Sequence, residues 1–274
     1  MPKPPPLALV TGATSGIGLA VARRLAQSGY DLLLTGRDLG RGQDAVTNIL
    51  EETGRNATFI PLPSDDWQRY GTLIDAMGQK TLDVVVVSAA EGIQAHLVDT
   101  AREDFERILR LNVLSPQYLI QRLLPHLSQP AAVILISSDA GIDGEQALGA
   151  YSVTKAALNM LGRMLALDLA PRQVRVNVVC PGDTVPGMRY LLRPHEKTRS
   201  QEDMLAWPIP PRGRLGTAED TAALVAFLAS PQADFIVGSV MLVDGGSRAG
   251  RSDSTLGNSG RLHDSPAPCV KKTK

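Results

Sequence analysis

The chain has 274 residues, 43% of them hydrophobic, and its 28 Lys and Arg residues balance its 28 Asp and Glu residues. This length can bury one substantial core, while the absence of net charge excludes a basic field that would attract nucleic acid or an anionic membrane. The apolar stretches are only as long as strands, which is too short to cross a bilayer.

The N-terminus and the cysteines bear on the compartment. The opening segment, residues 1–6, carries a lysine but no long apolar region, so it does not resemble a secretory signal. The two cysteines, Cys180 and Cys269, are too few for a disulfide framework and lack the spacing of metal ligands. The sequence therefore predicts a reduced, cytoplasmic protein without a metal site.

Short apolar runs alternate with helical patterns along the chain. The predicted strands are Leu7–Thr11, Asp31–Thr35, Thr58–Leu62, Leu82–Ser88, Ala131–Ser137, Val174–Val179 and Val240–Val243. The predicted helices are Gly16–Ser28, Gly42–Glu52, Trp67–Met77, Arg102–Leu127, Tyr151–Ala170 and Ala218–Leu228. This alternation predicts a three-layer, Rossmann-type α/β fold, in which helices cover both faces of a doubly wound parallel sheet of about seven strands.

These elements predict one domain over residues 1–246. Within it, the segment from about residue 185 to residue 216 is rich in Pro and Arg and too long for an ordinary connection, so we expect a functional lid or a disordered loop. The tail, residues 247–274, is polar and ends in lysines. We expect this tail to be disordered and to take no part in the core.

A glycine-rich loop joins the first strand to the first helix. Gly12 would allow a tight turn, Gly16 would let the backbone approach a phosphate, and Gly18 would let the helix pack close to the sheet. The N–H groups and dipole of that helix favour an anion. A turn without a ligand is the alternative, but the strand–loop–helix setting favours a dinucleotide. The predicted contacts are Thr11, Gly12, Thr14, Ser15, Gly16, Ile17 and Gly18.

The end of the second strand bears on which dinucleotide is bound. Sites that select NAD usually place a carboxylate there, which accepts hydrogen bonds from the ribose 2′-hydroxyl. Here Gly36 leaves that place open, and Arg37 could bind a 2′-phosphate. A solvated surface arginine is the alternative. The sequence thus favours NADP(H), with NAD(H) possible.

Tyr151 and Lys155 lie four residues apart in a helical pattern, which places both side chains on one helix face. The pKa of a free tyrosine is near 10, and lowering it by about three units takes roughly 4 kcal/mol. One exposed ion pair supplies about 1 kcal/mol or less. We therefore expect Lys155 to lie in a partly desolvated site, where its ammonium makes Tyr151 an effective proton donor.

Two further polar residues complete a predicted catalytic tetrad. Ser138 follows a strand at its carboxyl end, where ligands bind in such sheets, and could hold a substrate oxygen against Tyr151. Asn112 is an amide within an apolar pattern, and we expect it to hold a water that links Lys155 to solvent. Each residue alone could be a hydrogen-bonded structural residue. Together with the glycine loop they predict redox chemistry on a carbonyl or an alcohol.

These residues resemble the short-chain dehydrogenase/reductase family, in its compact single-domain branch. The resemblance runs from about Leu7 to Gly246 and also includes Arg175-Val176-Asn177, Pro181-Gly182 and Val243-Asp244-Gly245-Gly246. It implies a Rossmann-type fold, an NAD(P) cofactor and reversible carbonyl reduction. It also implies Tyr151 as general acid/base, Ser138 orienting the substrate and Lys155 on the nicotinamide ribose, with Pro181 and Gly182 along the nicotinamide.

The sequence departs from the family pattern at three places. The family's Asn-Asn-Ala-Gly turn is here Val87-Ser88-Ala89-Ala90, of which Ser88, Ala89 and Ala90 are the predicted cofactor contacts. Pro63 stands where an acidic residue is expected near the adenine. Pro186 stands where a threonine usually contacts the carboxamide, and we expect Thr184 to substitute for it.

The sequence also bears on substrate and assembly. We expect residues 91–96, residues 139–145 and the lid to line the pocket of a small carbonyl or alcohol substrate. A second apolar stripe on the Tyr151–Ala170 helix predicts a second subunit, as in the family's dimers and tetramers, and consists of Ala157, Met160, Leu161 and Met164. Two alternative functions stay open: a non-catalytic nucleotide-binding regulator or scaffold, and an isomerase or dehydratase that reuses its nicotinamide.

Overall fold

A computed structural model describes residues 4–185, 190–191 and 209–250. The strands of its main sheet are β1 (Leu7–Thr11), β2 (Asp31–Gly36), β3 (Ala57–Pro61), β4 (Leu82–Val87), β5 (Leu127–Ile136), β6 (Val174–Pro181) and β7 (Val240–Val243). They form one seven-stranded parallel sheet in the order β7-β6-β5-β4-β1-β2-β3. The predicted doubly wound fold is confirmed.

Seven helices flank this sheet in the described part of the chain. They are α1 (Gly16–Gln27), α2 (Leu39–Thr53), α3 (Tyr70–Met77), α4 (Arg102–Leu109), α5 (Ser115–Leu123), α6 (Gly149–Leu169) and α7 (Ala218–Ala229). The apolar residues of α1, α2 and α7 pack on one face of the sheet, and those of α3, α5 and α6 pack on the other. Within the described residues, no helix is both long and apolar enough to cross a membrane.

Strand β4 shows why several strands are continuous apolar runs. Val84 and Val86 belong to the core beneath α1 and α7, whereas Val85 and Val87 belong to the core beneath α5 and α6. Successive side chains of a strand point to opposite faces, so a sheet covered on both faces needs an apolar residue at every position.

The prediction of a single helix over residues 102–127 is wrong, because a π-helical turn divides this range into two α-helices. Helix α4 ends at Leu109, a π-helical turn spans Arg110–Leu114, and α5 follows. Such turns occur mostly as short interruptions of α-helices, frequently at functional sites. A 3₁₀ turn spans Leu124–His126, and β5 already begins at Leu127, which pairs with Leu82 of β4. An apolar pattern alone does not reveal the extra residue of a π turn.

Other boundaries move by a few residues for local reasons. Helix α2 begins at Leu39 because the Asp38 side chain accepts a hydrogen bond from the backbone N–H of Arg41 and caps the helix. Helix α3 begins at Tyr70, because Trp67–Arg69 form a separate 3₁₀ turn.

The Arg175-Val176-Asn177 motif braces the sheet edge. The Arg175 guanidinium donates to the carbonyl oxygens of Leu228 and Ser230, at 2.8 and 3.1 Å, and so satisfies the end of α7. The Asn177 amide donates to the carbonyl of Ile236 and accepts from the N–H of Ser239. The motif therefore fixes α7 and β7 against β6.

Candidate active site

The glycine loop and the β4 turn (residues 88–91) lie against each other and line what we term the nucleotide groove. A Cβ added at Gly12, where φ is +66°, would lie 2.9 Å from Cα of Ala89, and one added at Gly18 would lie 2.2 Å from the carbonyl oxygen of Gly12. The Thr11 hydroxyl accepts hydrogen bonds from the N–H groups of Ser88 and Ala89, at 3.1 and 3.2 Å. These two hydrogen bonds fix the turn at residues 88–90, where the family has an asparagine amide and a glycine.

The N-terminus of α1 is open to an anion. Gly16 adopts φ +53°, and, apart from its chain neighbours and the nearby backbone of its own helix, no atom of the described residues lies within 4 Å of a Cβ added there. Among the described residues, Ser15 precedes the helix without capping it through its side chain. The first-turn N–H groups and the positive end of the helix dipole therefore suit a pyrophosphate. The loop fits a dinucleotide.

Gly36 and Arg37 lie beside this loop. A Cβ on Gly36 would lie 2.7 Å from Cγ2 of Thr14, so this glycine does more than leave space for a ligand: it accommodates a threonine methyl. The Arg37 side chain is 75% exposed, and its Nη1 lies 2.7 Å from Oε1 of Glu91. The other oxygen of the same carboxylate pairs with Arg107. This ion-pair network joins residues 54 apart in the chain and was not predicted from the sequence.

Lys155 is buried at the carboxyl edge of the sheet, with 1% of its surface exposed. Its Nζ donates to the carbonyl oxygen of Ile136 at 2.9 Å and lies 5.5 Å from the ring centroid of Tyr151. This distance allows a cation–π interaction. Burial lowers the pKa of Lys155 to about 8. The structure therefore brings the predicted ammonium and phenol together in a desolvated place.

Three residues that were not predicted as site residues, Ser137, Gly141 and Asn159, hold the Lys155 segment. The Ser137 hydroxyl donates to the carbonyl of Lys155 at 3.1 Å. A Cβ on Gly141 would lie 2.6 Å from the carbonyl carbon of Lys155, so only glycine allows this approach. The Asn159 amide donates to the carbonyl of Gly141. The Cys180 thiol donates to Oδ1 of Asn159 at 3.6 Å, and burial raises the pKa of this thiol to about 11.

Asn112, within the π-helical turn, connects two parts of the site. Its Nδ2 donates to the carbonyl of Glu91 at 2.8 Å and to Oγ1 of Thr154 at 3.0 Å, while its Oδ1 accepts from the N–H of Glu91 at 3.0 Å. Thr154 in turn donates to the carbonyl of Tyr151. Both amide hydrogens are thus used within the protein. The predicted role of Asn112 in holding a water stays a prediction.

Ser138 begins the loop that follows β5. Its hydroxyl donates to Oδ1 of Asp139 at 3.2 Å and accepts from the N–H of Ala140. Burial raises the pKa of Asp139, and the guanidinium of Arg248 opposes this rise. Arg248 Nε lies 3.4 Å from Oδ2 of Asp139, and Arg248 Nη1 lies 3.2 Å from Oδ2 of Asp143.

Arg248 corrects the expectation for the tail. The sequence placed residue 247 and those beyond it outside the domain, yet Arg248 pairs with the loop beside Ser138, and its N–H donates to Asp244. Polarity alone does not reveal this role, because the partner carboxylates are about a hundred residues away in the chain. Residues 251–274 of the tail lie outside the described part.

The remaining predicted contacts lie after β6. The N–H of Gly182 donates to the carbonyl of Val243, and a Cβ on Gly182 would lie 2.9 Å from Cα of Asp244. Thr184 donates to the carbonyl of Gly182 and pairs with Gly216. Pro181 ends β6 and therefore lies at the same sheet edge as Lys155. Pro186 and most of the predicted lid lie outside the described residues.

Residues 12–248 match the family model described as enoyl-(acyl carrier protein) reductase. The human protein named dehydrogenase/reductase SDR family member 2, mitochondrial, is 34% identical over 247 residues, covering 87% of this chain and 85% of that protein. The chain belongs to the short-chain dehydrogenase/reductase family.

Two solved structures are similar to this chain. A dehydrogenase/reductase from Sinorhizobium meliloti is 32% identical with a TM-score of 0.77, covering 89% of this chain and 95% of that one. The L-sorbose reductase of Gluconobacter frateurii, solved with NADPH and L-sorbose, has a TM-score of 0.79 and 24% identity, covering 88% and 95%, and is similar in fold.

Family membership gives the reaction class. The protein is a short-chain dehydrogenase/reductase that transfers a hydride between an NAD(P) cofactor and a CH–OH or C=O group. The predicted oxidoreductase activity is therefore confirmed. The regulator and isomerase alternatives are not favoured.

Proposed function

We propose that this enzyme interconverts a ketone and the corresponding secondary alcohol, with NADPH as the preferred cofactor and Tyr151 as the general acid/base. The observation that carries this proposal is the buried Lys155 ammonium, 2.9 Å from the carbonyl of Ile136 and 5.5 Å from the Tyr151 ring centroid. A cation in a desolvated place beside a phenol favours the ionised phenol.

The bound nicotinamide would supply or accept the hydride. Gly12, Gly16 and Gly18 would hold the pyrophosphate of the dinucleotide at the N-terminus of α1. In reduction, the Tyr151 hydroxyl would give its proton to the substrate carbonyl oxygen. The Ser138 hydroxyl orients that oxygen, and Lys155 stabilises the resulting tyrosinate. Asn112 fixes the position of the helix that bears both residues.

The substitution Tyr151→Phe tests this assignment, because it removes the transferable proton and little volume. We expect turnover to fall by a factor of about a thousand or more, while NADPH still binds, since a lost general acid alone costs 10²–10⁴. Substrates to screen are ketones of graded size, with an enoyl thioester as the comparison suggested by the family model. Substantial turnover by the variant would contradict the proposal.

The NADPH preference rests on Arg37 and on the lack of a carboxylate at Gly36. The Arg37 side chain follows Gly36, which contacts the glycine loop, and is 75% exposed, so its guanidinium can reach a 2′-phosphate. We expect Arg37→Gln to weaken NADPH binding at least tenfold, or about 1.4 kcal/mol, while NADH binding changes by less than twofold. If Arg37→Gln changed the binding of NADPH and NADH equally, the proposed preference for NADPH would be wrong and NAD(H) would remain as the alternative.

The proposed partners are a small carbonyl or alcohol substrate and further copies of this chain, as a homodimer or homotetramer. On α6, Met160 and Met164 are 53% and 49% exposed, and Leu167 is 70% exposed, whereas Leu161 packs against the core. Exposed apolar side chains on one helix suit a subunit interface. Light scattering at micromolar concentration tests this, and we expect Met160→Glu with Met164→Glu to give a monomer.

We propose the cytoplasm as the compartment, on the basis of the two cysteines, which are too few for a disulfide framework. The related human protein carries the word mitochondrial in its name. Fractionation of cells that express the full chain distinguishes the two, and recovery with mitochondria would overturn our proposal.

A further inference from the structure

We propose that Glu91 sets the affinity for the cofactor's 2′-phosphate by competing with it for Arg37. This inference rests on the proposed preference for NADPH. Oε1 of Glu91 lies 2.7 Å from Nη1 of Arg37, and its Oε2 pairs with Arg107. The arginine assigned to the phosphate therefore already holds a carboxylate within the protein.

The two partners differ in their freedom to move. Asn112 bonds both the N–H and the carbonyl of Glu91, and the Glu91 side chain is 18% exposed. The Arg37 side chain is 75% exposed and its backbone follows Gly36. When a ligand binds, Arg37 is the residue that can leave the pair, while Glu91 stays with Arg107.

The position of the pair places it at the nucleotide groove. Glu91 follows Ala89 by two residues, and Cα of Ala89 lies 2.9 Å from where a Cβ on Gly12 would be. Gly36, which precedes Arg37, contacts Thr14 of the glycine loop in the same way, with 2.7 Å from its added Cβ to Cγ2. The ion pair between Arg37 and Glu91 therefore links the end of β2 to the β4 turn, and the glycine loop contacts both of these segments.

The charges in this network cancel. Arg37 and Arg107 carry two positive charges, and Glu91 and Asp104 carry two negative ones, with Arg107 Nη2 lying 3.2 Å from Asp104. A 2′-phosphate thus meets a neutral cluster in which the guanidinium it needs is occupied. Removing the Glu91 charge frees Arg37 from this carboxylate and gives the cluster a net charge of +1. Both changes favour binding of the 2′-phosphate.

The test measures binding of adenosine 2′,5′-bisphosphate and of 5′-AMP to the full chain by calorimetry. For Glu91→Gln we expect about tenfold tighter binding of the bisphosphate, because a charge-assisted pair no longer has to break, and less than twofold change for 5′-AMP. Glu91→Asp should shift binding in the same direction, because the shorter side chain cannot reach both arginines. Unchanged or weaker bisphosphate binding by both variants would overturn the inference.

Two matched variants separate this inference from its alternatives. Asp104→Asn changes the net charge equally but leaves the Arg37 pair intact, so a tenfold gain here too would show a general field and overturn the competition. Arg37→Gln tests the NADPH preference itself. If Arg37→Gln weakens bisphosphate binding while Glu91→Gln has no effect, only the inference on Glu91 fails. If Arg37→Gln has no effect, the preference fails.

Discussion

Nδ2 of Asn112 and Oγ1 of Thr154 are 3.0 Å apart, and this one bond joins the π-helical turn to the middle of the Tyr151–Lys155 helical turn. Thr154 has no exposed surface, and its hydroxyl donates to the carbonyl of Tyr151. Thr154, which was not predicted as a site residue, therefore helps to position Tyr151 and Lys155, which were.

We expect Thr154→Val to lower kcat about tenfold with little change in the KM for NADPH. The substitution keeps the shape of the side chain but leaves an amide hydrogen of Asn112 buried without its acceptor, which costs about 1–3 kcal/mol. Thr154→Ser keeps the hydroxyl and should restore kcat. Measured kcat and KM for the three proteins check this, and full activity of the valine variant would show that the bond does not position the helix.

The buried Lys155 predicts a pH dependence of stability. Its pKa is lowered from 10.5 to about 8 by burial, so between these values the unfolded chain holds a proton that the folded chain lacks. The free energy of unfolding should therefore rise as the pH rises from 8 to 10.5, by about 3 kcal/mol in total at about 1.36 kcal/mol per unit.

Lys155→Met should remove this contribution and, under the proposed mechanism, abolish turnover. Urea unfolding at pH 7.5, 9 and 10.5 gives the difference in the free energy of unfolding between wild type and variant. As the pH rises, the wild type should become more stable relative to the variant. Lys80→Met, which removes an exposed lysine, is the matched control. A difference that stays constant with pH would mean that Lys155 does not titrate in this range.

The glycine loop predicts a steric result. Gly18→Ala would place a Cβ 2.2 Å from the carbonyl oxygen of Gly12, which is backbone and cannot rotate away. We expect a loss of about 2 kcal/mol or more in stability and NADPH binding weakened at least a hundredfold. In α3, the added Cβ of Gly71→Ala meets no atom of the described residues within 4 Å beyond its chain neighbours and the nearby helix backbone, so this change should be neutral or stabilise by up to about 1 kcal/mol. Thermal unfolding and cofactor titration measure both, and intact binding by the Gly18 variant would contradict the geometry.

The Gly36–Thr14 contact changes how cofactor preference should be engineered. Gly36→Asp alone would set its Cβ 2.7 Å from Cγ2 of Thr14, so we expect it to weaken both cofactors. Combined with Thr14→Ser, which removes that methyl, the new carboxylate can accept bonds from a ribose 2′-hydroxyl and shift the preference towards NADH. The ratio of kcat/KM for NADPH and NADH in the single and double variants is the measurement. A ratio unchanged in the double variant would show that position 36 does not select the cofactor.

Arg248 should influence Ser138 through Asp139. Arg248→Gln removes the cation that opposes the raised pKa of Asp139, so the pKa of this buried carboxyl should rise further. Asp139 then loses its charge at a higher pH, and we expect kcat to fall more at acidic than at alkaline pH, with about 1 kcal/mol lost in stability. Arg248→Lys should keep most of the effect of the charge. Parallel pH profiles for wild type and the glutamine variant would rule out this coupling.

The sequence predicted the parts of the fold that follow from periodicity and from local conformational need. Continuous apolar runs such as β4 indicate a sheet covered on both faces, and the structure places alternate valines in two cores. Gly12 and Gly18 were assigned to a tight turn and close packing, and each has a neighbour that excludes a side chain.

The parts that the sequence did not predict depend on contacts between distant residues. Arg37 was expected to be free for a ligand, but Glu91, 54 residues away, pairs with it. The π-helical turn at Arg110–Leu114 keeps the apolar pattern of a helix while adding one residue, so periodicity cannot reveal it. Arg248 lies in a polar segment whose composition indicates disorder, and only the fold brings Asp139 and Asp143 to it.

The strand order also has a consequence for how the chain assembles during synthesis. Strands β1 to β4 form the block β4-β1-β2-β3 from residues 7–87, and each later strand then joins at one edge in the order in which it leaves the ribosome. Pairing between distant parallel strands is slow, and growth at a single edge limits how many wrong partners each new strand meets. The block that carries the glycine loop can therefore take shape before Ser138, Tyr151 and Lys155 have been translated.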